Sequence, residues 1–337
     1  MVERGHEFAI LVPKGRRKLP VSHGLEVIEC GPRVASPVLA VLTGLMGTAV
    51  KLPAVDVIIA SMPTHCLFAR ILGAVRALPV VNYLLGDDVH LFDDGSYIRN
   101  QVWLSLYRLL ARASLKSGLT VANSHWTAVR CVAAGGRRPA AIVPSGYDPA
   151  LFHPSRLRVS KGNVPRIVTV GRRLRYKGLP DLIDALNSID REFRLTVIAH
   201  ESLDLSAAHF KYDIIQPGDD RELVEAYRTG DIFVSCSWFE GFGLPALEAQ
   251  ACGLAVVVTD SGGIREFLRD GLNALIVPPR DPKALAGALE RLMVDEKLRV
   301  RLVAKGLETC TAFTWDRAVD RFEAVVSAVL EHRIGSD

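Results

Sequence analysis

The chain has 337 residues, of which 49% are hydrophobic and 23% are charged. That length leaves room for two domains of ordinary size, and that balance excludes a disordered or fibrous chain. The formal net charge is +4, divided as +6 through Ser155 and −2 beyond it, and no aromatic-rich basic stripe is present, so we expect no nucleic-acid partner.

Short apolar, β-branched runs alternate with helical stretches through most of the chain, a pattern typical of parallel sheets covered by helices. Because the runs are apolar nearly throughout, we expect sheets that are buried on both faces, and hence an α/β fold. The predicted strands are, in chain order, Phe8–Val12, Val55–Ala60, Val80–Leu84, Gly118–Ala122, Ala141–Val143, Arg166–Val170, Leu195–Ala199, Ile232–Ser235, Ala255–Thr259 and Ala274–Val277.

One segment interrupts this alternation. The residues HPSRLRVSKGNVP are polar and contain two prolines and a glycine, and the strand RIVTV follows directly. We therefore predict a linker here, with a first domain over 1–155, a second over 164–315 and an amphipathic terminal helix over 316–337. The two domains are expected to be Rossmann-like halves that face each other across a cleft, with ligands beyond the carboxyl ends of the strands.

The six cysteines are scattered, without a C-x-x-C pair, which is typical of reduced thiols and not of a disulfide framework or zinc site. No run approaches the ~18 apolar residues of a membrane span. The opening residues MVERGHEF are charged and lack the apolar core of a signal peptide, so we expect a cytoplasmic protein. The basic first half would suit an anionic acceptor or a peripheral membrane contact; we favour a solvated surface without a partner.

The most informative stretch is EGFGLPALE, which follows the predicted strand Ile232–Ser235. It places Glu240 on a loop at the carboxyl edge of the sheet and Glu248 just inside the helix that follows. Gly241 and Gly243 allow backbone N–H groups to approach a ligand, and a helix N-terminus favours phosphate. A pair of carboxylates at this edge suits a polyhydroxylated ligand. Taken singly, Glu240 would be interpreted as a solvated side chain and Glu248 as one that complements the helix dipole.

Two glutamates separated by seven residues in this setting resemble the signature of the retaining glycosyltransferases of family four, which have the two-domain GT-B fold. The resemblance implies that Glu248 binds the donor ribose and that Glu240 contacts a hexose hydroxyl. It also implies that the backbone of Phe242–Leu244 lies beside the sugar and diphosphate. The first domain would then be the acceptor side and the second the nucleotide-sugar side, and the terminal helix would cross back to the first domain.

A second match is VGRRLRYKG, which resembles the family's strand and loop VGRL-x-x-x-KG. It implies that Gly171 lies at the donor and that Arg172 and Lys177 occupy the cationic positions. Transfer from a nucleotide sugar expels a diphosphate, and one well-placed cation can lower that barrier by roughly 3 kcal/mol. The sequence has no D-x-D, the carboxylate pattern of metal-dependent glycosyltransferases, so we expect no metal.

A third stretch, VTDSGGIREFLRDGLNALIVPPRDPKAL, resembles the family's closing segment. We expect its Ser261–Gly263 turn to line the donor cleft, and Glu266, on the helix that follows, to stabilise the N-terminus of that helix instead of contacting a ligand. His200 stands where the family usually has a glycine-rich turn. The nucleotide base is expected near Gln216–Gly218.

The first half agrees less well with the family. PSGYDPALFHP resembles the family's interdomain segment, but Leu85 replaces the basic residue that usually precedes Gly86. Asp87, Asp88 or His90 could substitute, or they could simply be residues of an ordinary capped loop. His65 follows a predicted strand at a place that suits an acceptor-side catalytic group; a structural histidine is the alternative.

The opening MVERGHEFAILVP matches only the end of the family's first strand–loop–helix unit, so we expect the amino-terminal strand and Gly-rich loop to be absent here, with about 30 residues missing through a misplaced start or a truncated gene. The less favoured alternative is that Glu7–Val12 is itself the first strand and that PKGRRKLP replaces the loop.

These features predict a metal-independent retaining glycosyltransferase that moves a hexose from a UDP- or GDP-sugar to a saccharide or lipid-linked acceptor, and that needs no cofactor. The alternative is a weak or inactive GT-B-fold protein that acts as a partner subunit. A nicotinamide dehydrogenase is disfavoured because no G-x-G-x-x-G follows an early strand. The sequence indicates neither the donor base nor the oligomeric state.

Overall fold

The computed structural model describes residues 1, 4–13, 25–30, 53–61, 63–86, 100–116, 118–154 and 164–334. Within them the chain is an α/β structure with three sheets whose strands pair in parallel. The α/β class predicted from the alternation of strands and helices is therefore confirmed.

The first domain contains a four-stranded sheet and a separate pair of strands. The strands are β1 (Phe8–Pro13), β2 (Leu25–Cys30), β3 (Ile58–Ala60), β4 (Val80–Leu84), β5 (Leu119–Ala122) and β6 (Ala141–Ile142). The helices are α1 (Pro63–Arg76), α2 (Gln101–Leu115) and α3 (His125–Ala133). The sheet has the order β3-β4-β5-β6, while β1 pairs with β2.

The predicted strand at Phe8–Val12 is present as β1, and it continues to Pro13. In the described part of the chain β1 pairs only with β2, which the sequence did not predict, so β1 does not lie at the centre of the four-stranded sheet. This placement disagrees with the alternative in which Glu7–Val12 is the central first strand. Most of the segment PKGRRKLP lies outside the described residues.

The second domain contains one six-stranded parallel sheet of order β12-β11-β10-β7-β8-β9. Its strands are β7 (Arg166–Val170), β8 (Arg194–Ile198), β9 (Tyr212–Ile215), β10 (Ile232–Ser235), β11 (Ala255–Thr259) and β12 (Leu275–Val277). Its helices are α4 (Leu179–Asn187), α5 (Asp220–Arg228), α6 (Leu244–Ala251), α7 (Pro282–Val294) and α8 (Glu296–Cys310).

The central strands of the second sheet are buried on both faces. Val257 of β11 belongs to the core under α4 and α7, whereas its neighbours Val256 and Val258 belong to the core under α5 and α6. All five residues of β11 are buried. A fully buried valine contributes about 1.5–3 kcal/mol to folding, so β11 firmly fixes the position of the loop that leaves its carboxyl end.

Segments near both predicted domain boundaries cross between the two halves. Tyr147 and Phe152, which the sequence assigned to the first domain, pack in the core of the second domain under α5 and α6. The last helix, α9 (Trp315–Ile334), packs on the first sheet, where the ring of Phe322 lies 5.7 Å from that of Tyr83. Among the helices of the described residues, none combines the length and apolar character needed to cross a membrane.

The order of the second sheet sets the position of the candidate site. β10 pairs with β7 on one side and with β11 on the other, so the loops that leave these three strands lie side by side at the carboxyl edge. Ligands of open parallel α/β sheets bind at this edge. The loops contain the Arg172–Lys177, Glu240–Gly243 and Ser261–Gly263 segments that the sequence singled out.

Candidate active site

The loop after β7 begins with Gly171, whose backbone N–H donates to the carbonyl of Ile198 at 2.8 Å. A Cβ at this position would lie 2.3 Å from the end of the Leu203 side chain, so a larger residue would require Leu203 to move. The next residue, Arg172, is exposed and makes no hydrogen bond or ion pair with the residues that the structure describes. Its guanidinium is therefore available to an anionic ligand at the sheet edge.

The same loop then turns back onto the loop after β10. Gly178 has a left-handed conformation with φ of 67°, and a Cβ there would lie 2.2 Å from the carbonyl oxygen of Cys236. The Cys236 thiol donates to the Gly178 carbonyl at 3.0 Å. This contact between the two backbones depends on glycine, and it brings Lys177 beside the Glu240 loop.

Lys177 and Glu240 form an ion pair at the centre of the site. The Lys177 ammonium lies 2.6 Å from Oε1 of Glu240, and the Ser237 hydroxyl donates to the same oxygen at 2.7 Å. Both side chains are largely buried, with 21% and 16% of their surface exposed. In the described structure Oε2 of Glu240 has no hydrogen-bond donor, so one carboxylate oxygen is held while the other can accept a bond from a ligand.

Helix α6 begins directly after this pair. Gly243, with φ of 93°, precedes the helix, Pro245 lies in its first turn, and Gly253 follows its end. Proline is tolerated there because the first N–H groups of a helix have no partner within it. The backbone of Gly241–Leu244 therefore presents N–H groups and the positive end of the helix dipole beside Glu240, an arrangement that binds phosphate.

Glu248 lies on the second turn of α6, facing α5. Its Oε2 accepts a hydrogen bond of 2.8 Å from the hydroxyl of Tyr227, a side chain with no exposed surface. Burial raises the pKa of the Glu248 carboxyl from 4.5 to about 7; the Tyr227 hydrogen bond opposes this shift, and Asp220 adds to it. Burial likewise raises the pKa of Tyr227 above 10, so its hydroxyl remains the donor.

The neighbouring edge of the sheet carries the positions predicted near the nucleotide base. Gln216 and Gly218 follow β9 and are exposed, and the Gly218 N–H donates to Glu222 at 2.7 Å. His200 follows β8 and is also exposed. In the sheet, β8 and β9 lie on the side of β7 away from β10, so both turns lie beyond β7 along the carboxyl edge.

The two domains touch each other at Gly241. A Cβ at this residue would lie 1.7 Å from the carbonyl oxygen of Leu85 and 2.8 Å from Cα of Gly86. The Ser124 hydroxyl donates to the Gly241 carbonyl at 2.6 Å, and the Asn123 amide donates to the Leu85 carbonyl at 2.9 Å. The Glu240–Gly243 loop is therefore packed directly against the first domain.

A second interdomain contact corrects the expectation for Glu266. Glu266 does stabilise a helix N-terminus, but the helix is α3 of the other domain. Its Oε2 accepts from the backbone N–H of His125 at 3.0 Å, and the His125 ring lies 3.1 Å from Oε1. A carboxylate at a helix N-terminus is favourable, and here it also links the two domains.

Of the remaining first-domain candidates, the structure describes His65 and Leu85. His65 lies on the first turn of α1, exposed, with Nδ1 3.1 Å from the carbonyl oxygen of Ser61. Leu85 is 45% exposed. Asp87, Asp88 and His90 lie outside the described residues.

Four residues that act here were not singled out by the sequence: Tyr227, Ser237, Ser124 and His125. Tyr227 and Ser237 orient the two glutamates, while Ser124 and His125 bind the opposite domain. In the part of the chain that the structure describes, no group of three His, Cys, Asp or Glu side chains could hold a metal ion.

The family model for glycosyl transferases group 1 matches residues 158–309, which include Arg172, Lys177, Glu240 and Glu248. Over these residues the chain is similar to the glycosyl transferases group 1 family. Relatives named D-inositol 3-phosphate glycosyltransferase include one from Xylanimonas cellulosilytica, 33% identical over 52% of this chain and 48% of its own length. Another, from Salinispora tropica, is 41% identical over 35% of this chain and 24% of its own length. The chain thus matches about half, or less, of these curated relatives.

Solved structures show the same fold over nearly the whole chain. Sucrose-phosphate synthase from Thermosynechococcus elongatus superposes with a TM-score of 0.83 at 18% identity, covering 98% of this chain and 91% of the other. Anabaena HepE, solved in complex with UDP and glucose, gives a TM-score of 0.71 at 20% identity, covering 90% and 86%. The predicted GT-B architecture is confirmed by this similarity.

Proposed function

We propose that this protein is a glycosyltransferase that moves a hexose from a nucleoside diphosphate sugar to an acceptor hydroxyl, with retention of configuration and without a metal ion. The observation that carries the proposal is the convergence of Lys177, Glu240 and the N-terminus of α6 beside the buried Glu248. Cations, phosphate-binding N–H groups and two carboxylates are thereby gathered at one sheet edge.

In this proposal the cationic side chains stabilise the leaving diphosphate. Arg172 is exposed and unpaired among the described residues, so it can grip phosphate oxygens with two N–H groups. The positive end of α6 adds N–H groups from the opposite side. Together these groups take the place of a metal, and each is worth on the order of 3 kcal/mol in the transition state.

The two glutamates orient the donor. Oε1 of Glu240 is fixed by Lys177 and Ser237, so Oε2 accepts a hydroxyl of the hexose. Oε2 of Glu248 is fixed by Tyr227, so Oε1 accepts the ribose hydroxyls. Because the pKa of Glu248 is raised to about 7, the carboxylate that accepts both ribose hydroxyls forms mainly above that pH.

The reaction follows a front-face course. The bond from the anomeric carbon to the diphosphate oxygen breaks, the acceptor oxygen bonds to that carbon on the same face, and the acceptor proton passes to the leaving phosphate. No general base is needed, since the departing phosphate oxygen takes the proton as its charge grows. The role of the site is then positioning and charge stabilisation.

The donor and acceptor classes follow from the chemistry of the site and from similarity. UDP-glucose is the first donor to test, because a solved protein of this fold was crystallised with it; GDP-sugars come next. The acceptor is a saccharide or a lipid-linked sugar, and the name of the curated relatives adds inositol phosphate to the acceptors worth testing. We place the reaction in the cytoplasm, where nucleotide sugars are available.

The test is a turnover experiment followed by proton NMR. The protein is incubated with UDP-, GDP-, ADP- and TDP-sugars in EDTA, with and without acceptors, and the anomeric proton of the product is observed. We expect one donor to be consumed in EDTA, with an α-linked donor giving an α-linked product. An inverted product would rule out retention, and turnover only after a divalent metal is restored would rule out metal independence.

A second candidate, a partner subunit with weak or no activity, is favoured by Leu85, a side chain that cannot provide the cation expected before Gly86. It predicts a folded protein that neither binds nor consumes any donor of the panel. Donor binding that depends on Glu248 would contradict it.

A further inference from the structure

A cavity of about 690 Å³ lies between the two domains, next to the candidate active site. The first domain contributes His125 and Trp126 at the start of α3. The second domain contributes Trp238 and Phe239 after β10, and Asp260 and Arg265 after β11. Ser261 and Gly262, which the sequence placed at the donor cleft, also line this cavity.

The cavity shares its backbone with the centre of the donor site. The Glu240 N–H donates to the carbonyl of Ser261 at 2.8 Å, and the Gly263 N–H donates to the carbonyl of Glu240 at 3.0 Å. Phe239 directly precedes Glu240 and stacks on Tyr176 with ring centroids 4.3 Å apart. A ligand in the cavity therefore lies within a few residues of the groups that hold the hexose.

The cavity and the Glu248 carboxylate lie toward opposite faces of the second sheet. Glu248 and Tyr227 lie on the face covered by α5 and α6, whereas the Trp238 indole N–H donates to Asp181 of α4, on the other face, at 2.6 Å. A nucleotide bound by Glu248 thus leaves the cavity open. The cavity is placed for the second substrate.

The charges of the cavity are balanced. Asp260 makes two hydrogen bonds to the Arg265 guanidinium, at 3.0 and 2.9 Å. Glu266 is bound by the His125 N–H, and Arg269 adds a second guanidinium to the lining. Two carboxylates against two guanidiniums give no net preference for an anion, so a phosphate or a carboxylate ligand is not favoured.

The aromatic walls are rigid. The Arg280 guanidinium lies 4.0 Å from the centre of the Trp238 ring, which is fixed by Asp181 at its other end. Trp126 packs on Gly262, where a Cβ would lie 2.2 Å from the indole nitrogen. Flat apolar walls next to carboxylates and guanidiniums match a pyranose, which has an apolar C–H face and a rim of hydroxyls.

From these observations we propose that the cavity binds a sugar ring of the acceptor, and this proposal rests on the proposed transferase function. The ring packs against Trp126, and its hydroxyls hydrogen-bond to Asp260 and Arg265. Because His125 and Trp126 come from the first domain and the other walls from the second, the subsite is complete only when the domains meet as they do here. Acceptor binding and domain closure are then coupled.

The experiment is a saccharide titration followed by saturation-transfer NMR, with methyl glycosides and disaccharides of common hexoses as probes. It uses the wild-type chain and Trp126→Ala, with Trp126→Phe retaining a flat ring. The matched control is Trp103→Ala, an exposed tryptophan on α2. We expect at least one saccharide to bind, with a Kd at least tenfold higher in Trp126→Ala, within about threefold of wild type in Trp126→Phe and unchanged in Trp103→Ala.

The same samples are titrated with UDP-glucose to separate the two proposals. Saccharide binding that needs Trp126 but occurs without any donor binding would leave the subsite standing and contradict the transferase. Donor binding in a protein that binds no saccharide of the panel, or that binds one equally well in Trp126→Ala, would overturn the subsite alone.

Discussion

The ammonium group of Lys177 lies 2.6 Å from Oε1 of Glu240, and this contact ties the loop after β7 to the loop after β10. The Ser237 hydroxyl holds the same oxygen at 2.7 Å. The two charges satisfy each other, and Glu240 is therefore held from two sides. In the proposed function, an arriving diphosphate gives Lys177 a second anion, while Ser237 keeps Glu240 in place.

Replacing Lys177 with glutamine separates the effect of its positive charge from that of its hydrogen bond to Glu240. The amide of Lys177→Gln can still donate to Glu240, but it brings no positive charge to the leaving diphosphate. We expect kcat to fall by roughly 10²- to 10³-fold, with a change in donor Kd of less than about tenfold, because the charge matters most when the bond to the anomeric carbon breaks. Steady-state rates of UDP release measure this. Lys297→Gln, at an exposed position on α8, is the control; a normal kcat in Lys177→Gln would contradict the assigned role.

Glu248→Gln is expected to lose function and gain stability. Burial raises the pKa of Glu248 to about 7, so the native protein binds this proton more tightly than the unfolded chain, where the pKa is 4.5. The free energy of unfolding therefore falls as the pH rises from about 4.5 to 7 and stays lower above that range. The glutamine has no proton to lose, and we expect it to raise the free energy of unfolding by about 1–2 kcal/mol at pH 8.

Urea unfolding of both proteins at pH 8 and pH 4.5 measures this difference. The gain should be present at pH 8 and small at pH 4.5, while donor affinity at pH 8 falls at least a hundredfold. An equal effect at both pH values would mean that ionisation of Glu248 is not its cause.

Tyr227→Phe tests whether the hydroxyl of Tyr227 positions Glu248. The hydrogen bond from Tyr227 lowers the pKa of Glu248 against the larger effect of burial, so its removal raises that pKa. Less carboxylate is then present at pH 7, and a bond of about 1 kcal/mol corresponds to a three- to tenfold weaker donor affinity there. Calorimetric titration of UDP from pH 6 to pH 9 should show the affinity recovering at the high end. A uniform loss at every pH would indicate a packing defect instead.

Gly241→Ala tests the contact between the domains. A Cβ at this position would lie 1.7 Å from the Leu85 carbonyl, so the two domains must separate. We expect transfer to fall more than tenfold and the radius of gyration from X-ray scattering to increase. Gly287→Ala is the matched control, since a Cβ there meets nothing within 4 Å in helix α7; it should leave transfer unchanged and add roughly 0.5–1 kcal/mol of stability. Unchanged scattering in Gly241→Ala would show that the domains do not rely on this approach.

Most strands of the fold could be predicted from the sequence, because buried parallel strands are short apolar runs that stand out from the helices between them. Val80–Leu84, Arg166–Val170, Ile232–Ser235 and Ala255–Thr259 have the predicted bounds, and the other predicted strands differ by one to three residues. β9 was missed because Tyr212–Ile215 is an edge strand whose first three residues are exposed, so its sequence lacks the continuous apolar run of a central strand.

The candidate site could be predicted from the sequence only where its residues lie close together in one motif. Glu240 and Glu248 are close in the sequence, and their loop and helix follow from the glycines and Pro245 around them. Tyr227 and Ser124 are 21 and 117 residues from their partners, Glu248 and Gly241, and no local pattern distinguishes them from an ordinary core tyrosine and an ordinary helix cap. Their roles depend on strand order and domain closure, which the sequence does not encode locally.

The measurement that tests the central claim most directly is calorimetric titration of UDP-glucose, in EDTA at pH 8, into the wild-type protein, Arg172→Ala and Glu248→Ala, with GDP-, ADP- and TDP-sugars titrated in parallel. The account predicts one donor bound at one site per chain, with binding weakened at least tenfold in each variant. A folded wild-type protein that binds no donor of the panel, or variants that bind as tightly as wild type, would contradict it.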